Sequence, residues 1–268
     1  MFNLSEKKVN EFNLKIMQSS VFKRGLRHFF STRTGGDTPK PLNSFTLSAK
    51  DFPEYKNYEI KNQKIACSIL GGNYENFVMP NQQHTDKIAL IKDKSDIQKI
   101  KEEPFDGIIT NVPDIPICLV FADCVPVIIF DEEKRVLACL HAGWKGTAKG
   151  IVKKAAEIMK KDFGCSTKDM KAAIGAAICQ KCFEVNSDVA GQLAMSIKNT
   201  YDNIFIENSG KIHADLKKLN EVQLNEAGVF NIDVCGYCTS CDNSLFYSYR
   251  ADNKCTGRHG MLAMIEEK

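Results

Sequence analysis

Two apolar runs in the middle of the chain constrain the fold more than any other feature. Residues 127–130 and 136–140 are apolar or β-branched, with the polar stretch Asp131-Glu132-Glu133-Lys134 between them. That pattern reads as a β-hairpin. Cys124 stands just before the first strand and His141 just after the second. In an antiparallel pair those two positions fall at the same end, so topology alone brings a thiol and an imidazole together. Such a pair suits a zinc site or a Cys-His nucleophile arrangement, and the spacing does not choose between them.

The flanking sequence alternates between the two regular structures. Strands are expected at 28–32, 108–110, 117–121, 172–177, 232–234, 246–249 and 261–265. A helix is expected over 55–70, stopped by Gly71-Gly72, and another over 147–161. The second shows one apolar face, made by Ala148, Ile151, Val152, Ala155, Ile158 and Met159, and ends at Gly164. Two more are expected near 187–199, with Ser187 as N-cap, and over 215–227, closed by Gly228. Residues 1–20 are polar and read as a loosely attached segment. With no repeat, low-complexity tract or linker, residues 1–268 read as one mixed α/β domain.

Composition excludes several classes. A net charge of +3 with dispersed lysines gives no basic stripe, so a nucleic-acid partner is not expected. The longest apolar stretch, 115–130, is interrupted by Asp123 and Pro126 and is too short to span a bilayer. The N-terminus lacks the apolar core of a signal peptide. Eleven cysteines cannot all pair within the chain. These features point to a reducing, cytoplasmic setting with free thiols. Monomer and homodimer both stay open.

Other residues could carry chemistry. His84 lies in the polar run Asn81-Gln82-Gln83-His84-Thr85-Asp86, which nothing in the spacing places. His28 and His213 read as structural. Gly143 and Gly146 precede a helix whose free N–H groups, with Lys145 beside them, would suit an anion. Arg33, Arg250 and Arg258 lie in turns that could add phosphate contacts, and Asp123 adjoins Cys124. Cys179-x2-Cys182 and Cys235-x2-Cys238-x2-Cys241 look like zinc knuckles, but the gap from 182 to 235 far exceeds the roughly 15–20 residues of common ribbons. A second, structural metal is therefore not expected there, and a labile disulfide is the alternative under oxidation.

Taken together, these motifs resemble the YfiH-like proteins, also called laccase-domain or multicopper-polyphenol-oxidase-like proteins, now regarded as purine nucleoside phosphorylases. The resemblance rests on Gln83-His84, Asp106-Gly107, Ala122-Asp123-Cys124-Val125-Pro126, His141-Ala142-Gly143-Trp144-Lys145-Gly146, Cys182-Phe183-Glu184-Val185, Phe246-Tyr247-Ser248-Tyr249-Arg250 and Thr256-Gly257-Arg258. It implies a single compact α/β domain with mixed β-sheets flanked by helices. It also implies that His84, Cys124 and His141 hold one catalytic Zn2+. The implied activities are phosphorolysis of adenosine, inosine and S-methyl-5'-thioadenosine with inorganic phosphate, and deamination of adenosine. Arg33, Lys145, Arg250 and Arg258 are the expected anion-binding residues, and Asp123 is expected to handle a proton or orient the site. Lys145, Thr46, Ala176 and His259 depart from the family's usual residues; lysine for arginine keeps charge but loses the bidentate fork. The rivals are a copper phenol oxidase, for which five histidines are too few, a Cys124 hydrolase, and a non-catalytic zinc-stabilised binding protein.

Overall fold

The hairpin forms the centre of a six-stranded sheet. The computed structural model describes residues 1–199 and 203–267. In it, strands β7 (Val125–Asp131) and β8 (Val136–Ala142) pair antiparallel, with Val125 opposite Ala142 and Pro126 opposite His141. Around them lie β4 (Ile88–Ile91), β5 (Gly107–Thr110), β9 (Met170–Ile174) and β13 (Asn231–Val234), in the order β13-β9-β7-β8-β5-β4. The sheet is mixed: β4 runs parallel to β5 and β13 to β9, while β5, β7, β8 and β9 pair antiparallel.

A second, five-stranded antiparallel sheet packs on it. It contains β1 (Phe2–Val9), β2 (Phe12–Ser19), β3 (Leu26–Ser31), β6 (Ile117–Phe121) and β14 (His259–Ile265), in the order β1-β2-β3-β14-β6. A small third sheet joins β10 (Glu184–Val185), β12 (Lys211–Ala214) and β11 (Phe205–Asn208).

Alternation along β8 explains the layers. Val136, Ala138, Leu140 and Ala142 pack with helices α4 (Ile151–Phe163) and α6 (Leu216–Glu226), while Leu137 and Cys139 face the second sheet. The far side of the second sheet, including Leu14, Ile16, Phe29 and Leu262, is covered by α1 (Lys56–Leu70). The order is thus helices, sheet, sheet, helix. Both faces of β7 and β8 are dry, and all seven residues of each strand are buried. A strand covered on both sides reads as a continuous apolar run rather than an alternating one. The expected class, one compact α/β domain with mixed sheets flanked by helices, is the one observed. Short helices α2 (Ile97–Glu102), α3 (Trp144–Ala148) and α5 (Ser187–Ala194) complete the chain.

Three expectations are corrected. Residues 1–20 are not a loose segment. They form β1 and β2, and β2 pairs with β3 at Ile16–Ser31 and Met17–Phe30. The polar residues that made this region look detached occupy one face of β2, while Phe12, Leu14 and Ile16 enter the core. Residues 246–249 form no strand. Phe246 and Tyr247 are buried from a loop, where the Tyr247 hydroxyl donates to the Leu42 carbonyl at 2.6 Å. The helix expected over 147–161 is two helices, because Gly150 adopts a left-handed φ of 69° between α3 and α4.

Candidate metal and active site

The hairpin register brings Cys124 and His141 to the same sheet end, as the topology requires. His84 joins them. The ligand atoms of His84, Cys124 and His141 all lie within 4.8 Å of one another, and among the described residues no fourth histidine, cysteine or carboxylate joins the group. The two imidazole rings meet edge to face, with centroids 4.9 Å apart. His141 is buried, Cys124 half-buried and His84 exposed, so the group opens to solvent on the His84 side.

The residue that places His84 is Asp106. Its side chain is fully buried at the start of β5. It accepts hydrogen bonds from the backbone N–H groups of Gln83 at 3.2 Å, His84 at 3.0 Å and Thr85 at 2.6 Å, and from the Thr85 hydroxyl at 2.8 Å. Its Oδ1 also lies 2.7 Å from His141 Nδ1. One carboxylate thus folds the His84 loop and fixes the His141 ring, leaving Nε2 of His141 for a metal. Gln82 adds a second tie, its amide exchanging two hydrogen bonds of 2.9 Å with the Val120 backbone. From outside, Lys149 and Lys154 reach Asp86. Asp106 was visible in the sequence only as half of an Asp-Gly motif; the missing signal was its burial.

Electrostatics follow from this packing. Burial pushes the Cys124 thiol up, but His141 and His84 beside it outweigh burial and lower it to about 6. Burial disfavours a charged His141, yet Cys124 and Asp106 raise it to about 9. For Asp106, His141 and Thr85 overcome burial and lower it to about 2. The thiolate is the form of cysteine that binds a divalent metal, and the ionised Asp106 orients the ring; the charged His141 gives up its Nε2 proton when a metal binds. Gly143 completes the cradle: a Cβ there would sit 3.0 Å from both Cys124 Sγ and His84 Cδ2.

The other expected site residues fall into two groups. Asp123 holds a φ of 96°, a conformation costing about 1–3 kcal/mol that its surroundings must maintain. They do so through its own atoms: Oδ1 accepts from the Thr239 hydroxyl at 2.6 Å, Oδ2 from Arg250 N–H at 2.8 Å, and its carbonyl from Ile178 N–H at 3.0 Å. These bonds orient the turn that presents Cys124. Each of the three arginines has protein partners. Arg33 pairs with Asp252, donates to the Asn243 carbonyl at 3.0 Å and lies over the Tyr247 ring. Arg250 donates to the Cys182 carbonyl at 2.9 Å, and Arg258 to the carbonyls of Thr256 and Gly257. Lys145 is exposed at the start of α3 and makes no ion pair among the described residues. With Trp144, Ala148, Lys149, Gln192 and Met195 it lines an open cleft of about 310 Å³.

The five cysteines of the knuckle-like motifs separate. Cys179, Cys182, Cys238 and Cys241 converge, against the expectation from their spacing, with all four sulfurs within 4.8 Å of one another. The parallel pairing of β13 with β9, continued by the bridge between Ala177 and Cys238, brings the two turns together, which loop length alone did not show. Cys235 stays apart, buried in the core against Met17.

Comparison with known proteins gives the class. The family described as multi-copper polyphenol oxidoreductase laccase matches residues 27–266, and the chain belongs to this family, which includes the YfiH-like proteins. It is 34% identical over 250 residues to a purine nucleoside phosphorylase of Staphylococcus epidermidis, covering 89% of this chain and 90% of that one. It is 35% identical over 190 residues to an adenosine deaminase of an unknown prokaryotic organism, covering 68% and 72%. The crystal structure of the hypothetical protein YfiH of Bacillus licheniformis superposes with a TM-score of 0.86 at 29% identity, covering 96% of this chain and 100% of that one. No helix among the described residues is long and apolar enough to cross a membrane.

Proposed function

We propose that this protein is a zinc-dependent purine nucleoside phosphorylase that also deaminates adenosine. The observation carrying the proposal is the convergence of His84, Cys124 and His141 around one point, oriented by the buried Asp106, in a family with relatives named for both activities. Two imidazoles and a thiolate suit zinc, and three protein ligands are the number typical of a catalytic site. Bound there, zinc would supply Lewis acidity toward a substrate oxygen or a water.

The chain's own groups have separate tasks. Asp106 keeps His141 Nδ1 protonated and holds the His84 loop. Asp123 acts as a positioning residue, since both of its carboxylate oxygens are committed to Thr239 and Arg250. Phosphorolysis joins a phosphate oxygen to C1' of the ribose while the glycosidic bond breaks and the purine leaves with a proton. Lys145, exposed and without an ion pair among the described residues, is the first choice for the phosphate contact, and Arg33, Arg250 and Arg258, whose guanidiniums keep donors beyond those given to protein acceptors, are the further proposed anion-binding residues. Adenosine, inosine and S-methyl-5'-thioadenosine are the proposed nucleosides, and a cytoplasmic location fits a chain of free thiols.

Two rivals are distinguishable. A multicopper centre needs more imidazoles than two, and the others are elsewhere: His28 and His259 are buried in the core, and His213 lies in the small third sheet. The lowered Cys124 thiol beside His141 would also serve a cysteine hydrolase. Chelation decides. Dialysis against a chelator should abolish turnover of adenosine with phosphate, and zinc should restore it while copper should not. Full activity in the chelated protein would overturn the metal assignment in favour of the Cys-His pair.

A further inference from the structure

Away from the proposed active site, two Cys-x-x-Cys turns face each other. The sulfurs of Cys179, Cys182, Cys238 and Cys241 all lie within 4.8 Å of one another, and those of Cys182 and Cys241 are 3.4 Å apart. A disulfide would need about 2.05 Å. Four thiolates at about 2.3 Å from a tetrahedral zinc lie about 3.8 Å from each other, which is the spacing scale observed. Nor is the group apolar filling. Cys67, Cys118, Cys139, Cys165 and Cys235 are buried, whereas in the group only Cys238 is buried, Cys241 is exposed, and Cys179 and Cys182 are half-buried.

The local backbone is arranged around sulfur. The N–H of Cys179 donates to Cys238 Sγ at 3.2 Å, and the N–H of Cys241 to the same sulfur at 3.4 Å. Such bonds favour thiolate over thiol. Tight turns close each pair, with Cys182 N–H on the Cys179 carbonyl at 3.0 Å and Asp242 N–H on the Cys238 carbonyl at 2.8 Å. A parallel bridge joins Ala177 to Cys238, and Thr239 N–H reaches the Ala177 carbonyl at 3.2 Å.

We propose that Cys179, Cys182, Cys238 and Cys241 bind one zinc ion as a closed structural site, separate from the His84–Cys124–His141 group. Four protein thiolates fill the tetrahedron and leave no position for substrate. The ion staples two segments distant in sequence, where a cross-link removes the most chain freedom. What it staples is the wall behind Cys124. Thr239, inside the second turn, donates to Asp123, and Arg250, whose backbone N–H also serves Asp123, donates to the carbonyl of Cys182. The four-cysteine ion therefore holds the strained Asp123 turn through two hydrogen bonds.

Metal analysis of the full chain, purified under reducing conditions and saturated with zinc before dialysis, tests this. The wild type should retain two zinc ions per chain. His84→Ala/His141→Ala should retain one, and Cys182→Ser/Cys241→Ser should retain one. Cobalt loaded into His84→Ala/His141→Ala should give the intense thiolate-to-cobalt absorption of a four-sulfur site, so the outcome does not depend on the serine variant folding. The proposal is overturned if His84→Ala/His141→Ala keeps no zinc, if iron occupies the cluster, or if mass spectrometry finds a disulfide between these cysteines in the reduced preparation.

Discussion

Asp106→Asn is the change that should reveal how the site is held together. The carboxylate receives three backbone N–H groups and the Thr85 hydroxyl, and it faces His141 Nδ1. An asparagine has one acceptor oxygen where aspartate has two. With that oxygen toward His84 N–H and His141 Nδ1, its NH2 group points at the N–H groups of Gln83 and Thr85, donor against donor. The Thr85 hydroxyl can turn to accept from the NH2 group, but the two charge-assisted hydrogen bonds from the backbone are lost at a fully buried position, at about 1.5–3 kcal/mol each. Relaxation of the His84 loop recovers part of this, so a destabilisation of about 3 kcal/mol is expected. The surviving bond to His141 has a neutral acceptor and about half its former strength. Loss of an outer partner of this kind lowers metal affinity by about 10–100-fold. Urea denaturation of metal-free protein measures the first effect, and competition with a chromophoric chelator measures the second. An Asp106→Asn protein with wild-type stability, and zinc affinity within about threefold of wild type, would refute the role given to this carboxylate.

Three further outcomes follow from other parts of the molecule. Gly143→Ala places a methyl 3.0 Å from Cys124 Sγ and His84 Cδ2; it should lower zinc affinity by about tenfold, measured by the same competition, with little change in the circular dichroism spectrum. Ile16→Ala should cost about 2–5 kcal/mol in urea melts, because this side chain is buried in the second sheet; a detached N-terminal segment would lose almost nothing. His28 is buried, its Nε2 accepts Ser19 N–H at 3.1 Å, and burial lowers its pKa from 6.5 to about 4. Because the folded pKa lies below the unfolded one, this contribution is fully present above pH 6.5 and is lost as pH falls toward 4. Over that window it amounts to about 3 kcal/mol, and His28→Gln should show a correspondingly flatter acid limb in urea melts of metal-free protein.

How much of this was legible in the sequence depended on the range of the interaction. The β7–β8 hairpin needed only local patterning, so the approach of Cys124 to His141 could be read directly. His84 could not, because its loop is placed by Asp106, a residue distant in sequence whose burial has no local signature. The N-terminal strands were misjudged for a related reason. The alternation of Phe12, Leu14 and Ile16 with polar residues was present, but only pairing with β3 and the cover of α1 make it a buried face. The four cysteines show the opposite failure. Their motif was plain, and a rule about loop length argued against a meeting that the tertiary fold brings about. For the arginines, residue type suggested phosphate, and the structure adds the carbonyl and carboxylate partners that fix part of each guanidinium.

Phosphate-dependent nucleoside cleavage at the His84–Cys124–His141 site can be read by incubating zinc-loaded protein with adenosine, with and without phosphate, and resolving adenine, inosine, hypoxanthine and ribose 1-phosphate. The expected result is adenine and ribose 1-phosphate in equal amounts only when phosphate is present, inosine in either case, and neither from Cys124→Ala. Zinc bound at the triad with no product from adenosine would contradict the account.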